Sequence, residues 1–157
     1  MFITTQPKHN TEKYIKTLKS LGAISKLFSD SENPYLGYRV AENAFCLCFD
    51  AENLARADTS VDAKKGATGI GIKTFLDVKG GVSLQKIAEF NKARNLYKNY
   101  LEDPVKLVRE ITNLRNKRIQ LAKDIHDLDF LMYHSIIRGK GKFYVVEEVM
   151  ELINIEN

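Results

Sequence analysis

Two segments of alternating polarity on either side of a glycine-containing turn, at positions 59–64 and 70–76, constrain the fold of this chain most strongly. In the first segment, Val61 and Ala63 would share one face of a strand, and the polar residues between them would share the other. Gly66 and its neighbours are typical of a hairpin connection, because glycine tolerates the positive φ that tight turns require. The pattern therefore predicts a β-hairpin.

The register of this hairpin decides which polar side chains meet. If Asp62 lies opposite Gly71, then Lys73 lies opposite Ser60, and Asp62, Lys64 and Lys73 project from the same face. A shift of one residue would separate them, because it moves every side chain of one strand to the other face.

A further carboxylate, Glu89, follows in a segment with helical periodicity. Ser83 is a suitable N-cap for this helix, which the apolar stripe predicts to continue to Tyr100. A strand, a turn, a second strand and a helix would thus carry Asp62, Lys73 and Glu89.

Two carboxylates and a lysine are the groups needed to hydrolyse a phosphodiester with Mg²⁺. Mg²⁺ takes oxygen ligands and is often bound by only one or two protein carboxylates, which makes Asp62 and Glu89 candidate metal ligands. A nearby lysine can orient the attacking water or stabilise negative charge on phosphorus, and Lys73 is the candidate for that role.

At these residues the chain resembles the PD-(D/E)XK nuclease superfamily, and more narrowly the type II restriction endonucleases. In one assignment Asp62 is the first acid, the segment 71–73 (Gly-Ile-Lys) stands in place of the D/E-X-K element, and the missing acid has moved to Glu89. Several restriction endonucleases relocate that acid in this way. We favour this assignment, because a hairpin and the adjoining helix can bring these residues together.

The literal assignment of the motif uses other residues. Asp50 is then the first acid and the segment 62–64 (Asp-Ala-Lys) is the D-X-K element, with Lys64 as the catalytic lysine. Asp58 is a further candidate for the first acid.

The resemblance implies an α/β fold with an N-terminal helix, a mixed central sheet and flanking helices, followed by a long helix and a C-terminal hairpin. We expect one nuclease-like domain over 1–157, with its core at about 10–100 and an extension at about 104–157. The implied function is Mg²⁺-dependent cleavage of duplex DNA in a restriction system, by a homodimer that cuts both strands.

An alternative is a non-catalytic DNA-binding or assembly module descended from such a nuclease. It is favoured by Gly71, which stands where an acid is usual. The chain is also shorter than most type II restriction enzymes, so we expect a truncated or fragmentary member of the group.

The remaining segments give further expectations. Helices are predicted at 12–29, capped by Asn10 or Thr11, at 105–132, where Pro104 suits the first turn, and at 147–155. One strand, or two strands interrupted near Glu42, is predicted over 38–49, and its end is apolar enough for a central strand buried on both faces. A second hairpin is predicted over 133–146.

The charge of the chain suits a polyanionic partner. The formal net charge is +4 and the isoelectric point is near 9.0. Basic residues on the predicted turns and helices are candidate DNA contacts, although solvated surfaces would explain them equally well: Lys65, Lys86, Lys92, Arg94, Lys140 and Lys142.

The cysteines and histidines favour structural roles. Cys46 and Cys48 lack the additional ligands of a zinc site, so we expect buried, reduced thiols and a cytoplasmic protein. His126 and His134 are expected to be hydrogen-bonded structural residues. No apolar run reaches the roughly 18 residues of a membrane span, and no signal-peptide pattern is present.

Overall fold

The computed structural model describes residues 1–54, 59–78, 86–87 and 90–155. The α-helices are α1 (Phe2–Thr5), α2 (Lys8–Ser25), α3 (Tyr38–Phe49), α4 (Arg94–Tyr97) and α5 (Pro104–His126). The strands are β1 (Glu52–Asn53), β2 (Ala63–Lys65), β3 (Thr68–Leu76), β4 (Phe130–Gly139) and β5 (Lys142–Val149). Short 3₁₀ turns cover Asn91–Ala93 and Lys98–Tyr100.

The strands form one mixed sheet of five strands in the order β1-β2-β3-β4-β5. β3 and β4 are parallel, and every other neighbouring pair is antiparallel. The predicted α/β class with a mixed central sheet is therefore confirmed. β4 and β5, which were expected in an extension, continue the same sheet.

Two hydrophobic cores cover the two faces of the sheet. The larger core joins α1, α2 and α3 to Ile70 and Ile72 of β3. The smaller core joins Ile119 and Ala122 of α5 to Leu131 of β4. The result is three layers, with helices on both sides of the sheet. None of the helices within the described residues is long and apolar enough to cross a membrane.

The prediction of a strand over 38–49 is wrong, because this segment forms α3. Its buried positions Ala41, Phe45 and Phe49 recur at intervals of four residues, which is the spacing of one helix face. A short apolar run does not by itself distinguish a buried strand from a buried helix. Cys46 and Cys48 are buried and free, as predicted, but they lie on a helix.

Several predicted boundaries of the other helices are wrong. α2 begins after Pro7, whose ring fixes φ, and not at a side-chain cap on Asn10 or Thr11. α5 begins at Pro104 as predicted but ends at His126, because Asp127 adopts a left-handed conformation with φ of 52°.

The predicted helices at 83–100 and 147–155 also differ from the structure. Residues 79–85 and 88–89 lie outside the described residues, and residues 91–100 form two 3₁₀ turns around the short α4 instead of a continuous helix. Beyond Val149, where β5 ends, the described residues contain no helix. Pairing with β4 keeps this segment extended, and the second hairpin is confirmed.

A buried polar chain ties α1 and α2 to the sheet. The Tyr14 hydroxyl lies 2.9 Å from Nε2 of His134, and Nδ1 of His134 lies 2.9 Å from Oε1 of Glu147. Glu147 also accepts hydrogen bonds from the backbone N–H of Ile3. His134 thus has the satisfied structural role that the sequence predicts, and burial raises the pKa of Tyr14 well above its ordinary value.

We expect Tyr14→Phe to lower the free energy of unfolding by about 1–3 kcal/mol, because it leaves Nε2 of His134 buried without a partner. Chemical denaturation followed by circular dichroism measures this change. Tyr35→Phe is the matched control, since Tyr35 is 60% exposed and its loss of a hydroxyl should change stability by less than about 0.5 kcal/mol. If both substitutions lowered the free energy of unfolding equally, the buried hydrogen bonds of Tyr14 and His134 would not be important for stability.

Candidate active site

The hairpin of β2 and β3 has the predicted register, but an irregularity at its open end reorients Asp62. Ala63 pairs with Ile70, and the backbone N–H of Asp62 donates to the carbonyl of the same Ile70 at 2.8 Å. Two consecutive residues of one strand, Asp62 and Ala63, therefore lie opposite the single residue Ile70, as in a β-bulge. In consequence Val61 and Ala63 belong to different cores, and the prediction that they share one face is wrong.

The carboxylate of Asp62 contacts two groups of β3. Its Oδ2 accepts a hydrogen bond from the backbone N–H of Ile72 at 2.7 Å and lies 3.0 Å from Nζ of Lys73. Both side chains are largely shielded, with 18% exposure for Asp62 and 25% for Lys73. The structure thus brings Asp62 and Lys73 together.

Lys64, the alternative lysine, lies elsewhere. Its ammonium donates a hydrogen bond to the carbonyl of His126 at the end of α5, on the same side of the sheet as Lys73, but Lys64 does not line the cavity around Asp62. Asp50 is the C-cap of α3 in a left-handed conformation and does not line the cavity around Asp62. The residues of the literal motif are therefore not assembled.

A second carboxylate, Glu42 on α3, lines the same cavity as Asp62 and Lys73. This cavity has a volume of about 400 Å³, and its rim carries Arg39, Lys86 and Arg118. Glu42 is only 5% exposed, and its Oε2 accepts a hydrogen bond from Nη1 of Arg39 at 2.9 Å.

Glu42 is not among the site residues predicted from the sequence, because a strand is predicted over 38–49. Helical periodicity would have revealed it, since Glu42 lies three residues before Phe45 and seven before Phe49, on the apolar side of α3. A carboxylate on the buried side of a helix is uncommon unless it has a partner or a function.

The environment of Glu42 disfavours its charged form. Burial raises the pKa of the Glu42 carboxyl, and the nearby Asp62 carboxylate raises it further, while Arg39 and Lys73 oppose the shift. Burial and the neighbouring carboxylate both disfavour a negative charge on Glu42. A bound cation would reduce both effects.

We expect Glu42→Gln to increase the free energy of unfolding near pH 7. The folded state raises the pKa of Glu42 above its ordinary value of 4.5, so ionisation destabilises the folded state as the pH rises above that value. Below it, both states are protonated and the difference from wild type should vanish. Urea unfolding at pH 4 and pH 7 tests this, and a gain that is independent of pH would contradict it.

The two carboxylates suit a hard divalent cation. Among the described residues no hydrogen bond reaches Oδ1 of Asp62, so this oxygen and those of Glu42 are the available ligands. The described part of the chain contains no group of three or more His, Cys, Asp and Glu side chains placed to hold a metal. A pair of carboxylates fits Mg²⁺, which keeps several of its waters, better than a closed zinc site.

The remaining candidates have different positions. Glu89 and Asp58, proposed as acids, lie outside the described residues. Lys86 lines the cavity at Asp62, whereas Lys92 and Arg94 lie in the 91–97 segment and are not among its lining residues.

Three predicted DNA-contacting lysines have partners within the protein. Lys65 donates to the carbonyl of Phe49 at the end of α3. Lys140 is paired with Glu32, and the ammonium of Lys142 lies 4.9 Å from the centre of the Tyr144 ring. None of the three lines the cavity at Asp62.

Gly71 stands where the motif has its second acid, and the structure has little space for a side chain there. A Cβ atom at this position would lie 2.5 Å from Cε of Met150 and 2.9 Å from the backbone carbonyl oxygen of Ser60. The methionine can move, but the carbonyl belongs to the backbone next to Asp62. Packing therefore requires glycine at this position of β3.

We expect Gly71→Ala to lower the free energy of unfolding by about 1–3 kcal/mol, which is typical of overpacking. Adding Met150→Ala should not restore stability, because the clash with the Ser60 carbonyl would persist. Denaturant melts of the single and double variants measure this. Full stability of Gly71→Ala would show that the site has space for an acid.

Comparison of the chain with protein-family models, with curated proteins and with solved structures gave no match.

Proposed function

We propose that this protein is a Mg²⁺-dependent endonuclease that hydrolyses phosphodiester bonds in duplex DNA. The observation that carries the proposal is the contact of Asp62 with Lys73 in a cavity that Glu42 also lines. The order of the elements supports it, since an N-terminal helical layer leads into a mixed sheet with helices on both faces, as the resemblance to restriction endonucleases implies.

In this proposal Asp62 and Glu42 would hold the metal. Glu89 would be a further ligand, and only the resemblance to the nuclease motif supports its role. When bound, Mg²⁺ polarises the phosphoryl oxygen and lowers the pKa of coordinated water. Asp62 fixes the ammonium of Lys73 at 3.0 Å, which orients this cation toward the attacking water and the charge that develops on phosphorus.

The rim of the cavity suits the substrate. Arg39, Lys86 and Arg118 line the cavity together with the carboxylates, so it combines positive charge that favours phosphate with acids for a metal. The net charge of +4 would add long-range attraction for DNA.

A cleavage assay tests the proposal. Supercoiled plasmid is incubated with Mg²⁺ or with EDTA, using wild type and the variants Asp62→Asn, Glu42→Gln and Lys73→Met. We expect cleavage only with Mg²⁺ and a loss of at least about 100-fold in each variant, because each removes a metal ligand or a charge that acts in the transition state.

The matched controls distinguish the site from its surroundings. Lys16→Met removes a lysine from α2 that does not line the cavity and should leave the rate unchanged. Lys64→Met tests the literal motif, and cleavage lost in that variant but retained in Lys73→Met would overturn our assignment. No cleavage by the wild type with any divalent metal would overturn the enzymatic function of this polypeptide.

A second function, that of a non-catalytic DNA-binding module, is favoured by Gly71, where packing excludes the acid of the motif. Such a module would bind DNA equally well in Mg²⁺ and in EDTA, and Glu42→Gln would not weaken it. We propose a homodimer for either function, because two copies related by a two-fold axis suit a duplex with a symmetric site. Light scattering at several concentrations tests the dimer.

A further inference from the structure

A second, smaller cavity adjoins the candidate active site. Its volume is about 40 Å³, and it shares Thr59, Lys73 and Arg118 with the larger cavity. Its other polar lining residues are Ser60, Arg115 and Tyr133. The polar groups around it are hydroxyls and cations, and none of the described residues that line it carries a carboxylate.

The two arginines of this cavity are positively charged, and neither forms an ion pair with a carboxylate among the described residues. Arg118 donates from Nη2 to the carbonyl of Thr59 at 3.3 Å. Arg115 donates from Nη1 to the carbonyl of Glu151 at 2.7 Å. Both side chains are half-buried on the face of α5 that carries Ile119. These contacts fix the guanidinium groups, while the remaining N–H donors stay available for a ligand.

Ser60 adds an independent observation. Its Oγ is buried and has no hydrogen-bond partner among the described residues. A buried hydroxyl without a partner is unfavourable, so proteins seldom leave one unsatisfied without a reason. Ser60 lines the same cavity as two arginines and a lysine, so an anionic oxygen bound there would be a candidate partner for this hydroxyl.

We propose that this cavity binds a phosphate group of the nucleic-acid strand, next to the phosphate at Asp62 and Lys73. The proposal rests on the proposed function, because it assigns the cavity to the same substrate. Its volume is sufficient for about three waters, which is near the size of the oxygens of one phosphate and too small for a base. Lys73 lines both cavities and would lie between the two phosphates.

Inorganic phosphate tests the cavity independently of DNA. Thermal unfolding of the full chain is measured in chloride and in phosphate at equal ionic strength, without metal. We expect phosphate to stabilise the wild type and the control Arg109→Gln, which changes an exposed arginine of the same helix. The stabilisation should be lost in Arg115→Gln and reduced in Ser60→Ala.

Ser60→Ala also keeps the test valid if Arg115→Gln folds poorly. Removal of an unpaired hydroxyl should leave the protein at least as stable as wild type in chloride. A phosphate effect that is the same in all four proteins would show an adventitious ion only and would overturn the proposal.

Binding of a fluorescent duplex in EDTA then distinguishes the source of the phosphate. Arg115→Gln should weaken binding about tenfold relative to Arg109→Gln, since it removes charged hydrogen bonds. A loss confined to duplexes with 5′-phosphate ends would assign the cavity to a terminal phosphate, and an equal loss on duplexes with hydroxyl ends would assign it to a phosphate within the strand. No difference between the two variants would overturn the proposal.

Failure of the proposed function gives a different result. If binding in EDTA depends on Arg115 but Mg²⁺ brings no cleavage, the phosphate site stands and the nuclease activity does not. If cleavage requires Asp62 and Lys73 but is unchanged in Arg115→Gln and Ser60→Ala, the nuclease stands and the second phosphate site does not.

Discussion

The parallel pairing of β3 with β4 is the constraint on which the rest of the structure depends. The ladder runs from Thr68 against Phe130 to Leu76 against Arg138 without interruption. Parallel neighbours cannot be joined by a tight turn, so the chain must cross over one face of the sheet, and α5 forms the return path. The N-terminal helices cover the opposite face. Lys73 lies within this ladder, which gives the candidate site a rigid base.

The site itself lies where the two cores separate. Val61 belongs to one core and Ala63 to the other, so the side chain of Asp62, which lies between them in the sequence, points into neither core. That geometry leaves the carboxylate of Asp62 free to reach the backbone of Ile72 and the ammonium of Lys73. A regular strand would have directed Asp62 toward one core, where an ionised carboxylate is costly.

The sequence predicted the hairpin, the long helix and the second hairpin because turn residues and strong periodicity specify them locally. The contact of Asp62 with Lys73 was expected from the register, but in the structure it depends on the irregularity at Asp62. Lys64 could not be excluded from sequence, because its bond to the carbonyl of His126 depends on where the end of α5 packs against the sheet. Glu42 was missed because twelve mainly apolar residues with two cysteines suit either a buried strand or a buried helix, and only the packing of Phe45 and Phe49 decides between them.

The bond between the backbone of Ile3 and the carboxylate of Glu147 joins residues that are 144 positions apart. During synthesis the ribosome releases the N-terminus first, so α1 must wait without its partner until β5 has emerged. Phe2, which is 7% exposed in the finished protein, packs on Phe45 and Phe49 of α3 and can be covered as soon as α3 has emerged. α1 can therefore pack on α3 early, whereas its hydrogen bonds to Glu147 form only when β5 is in place.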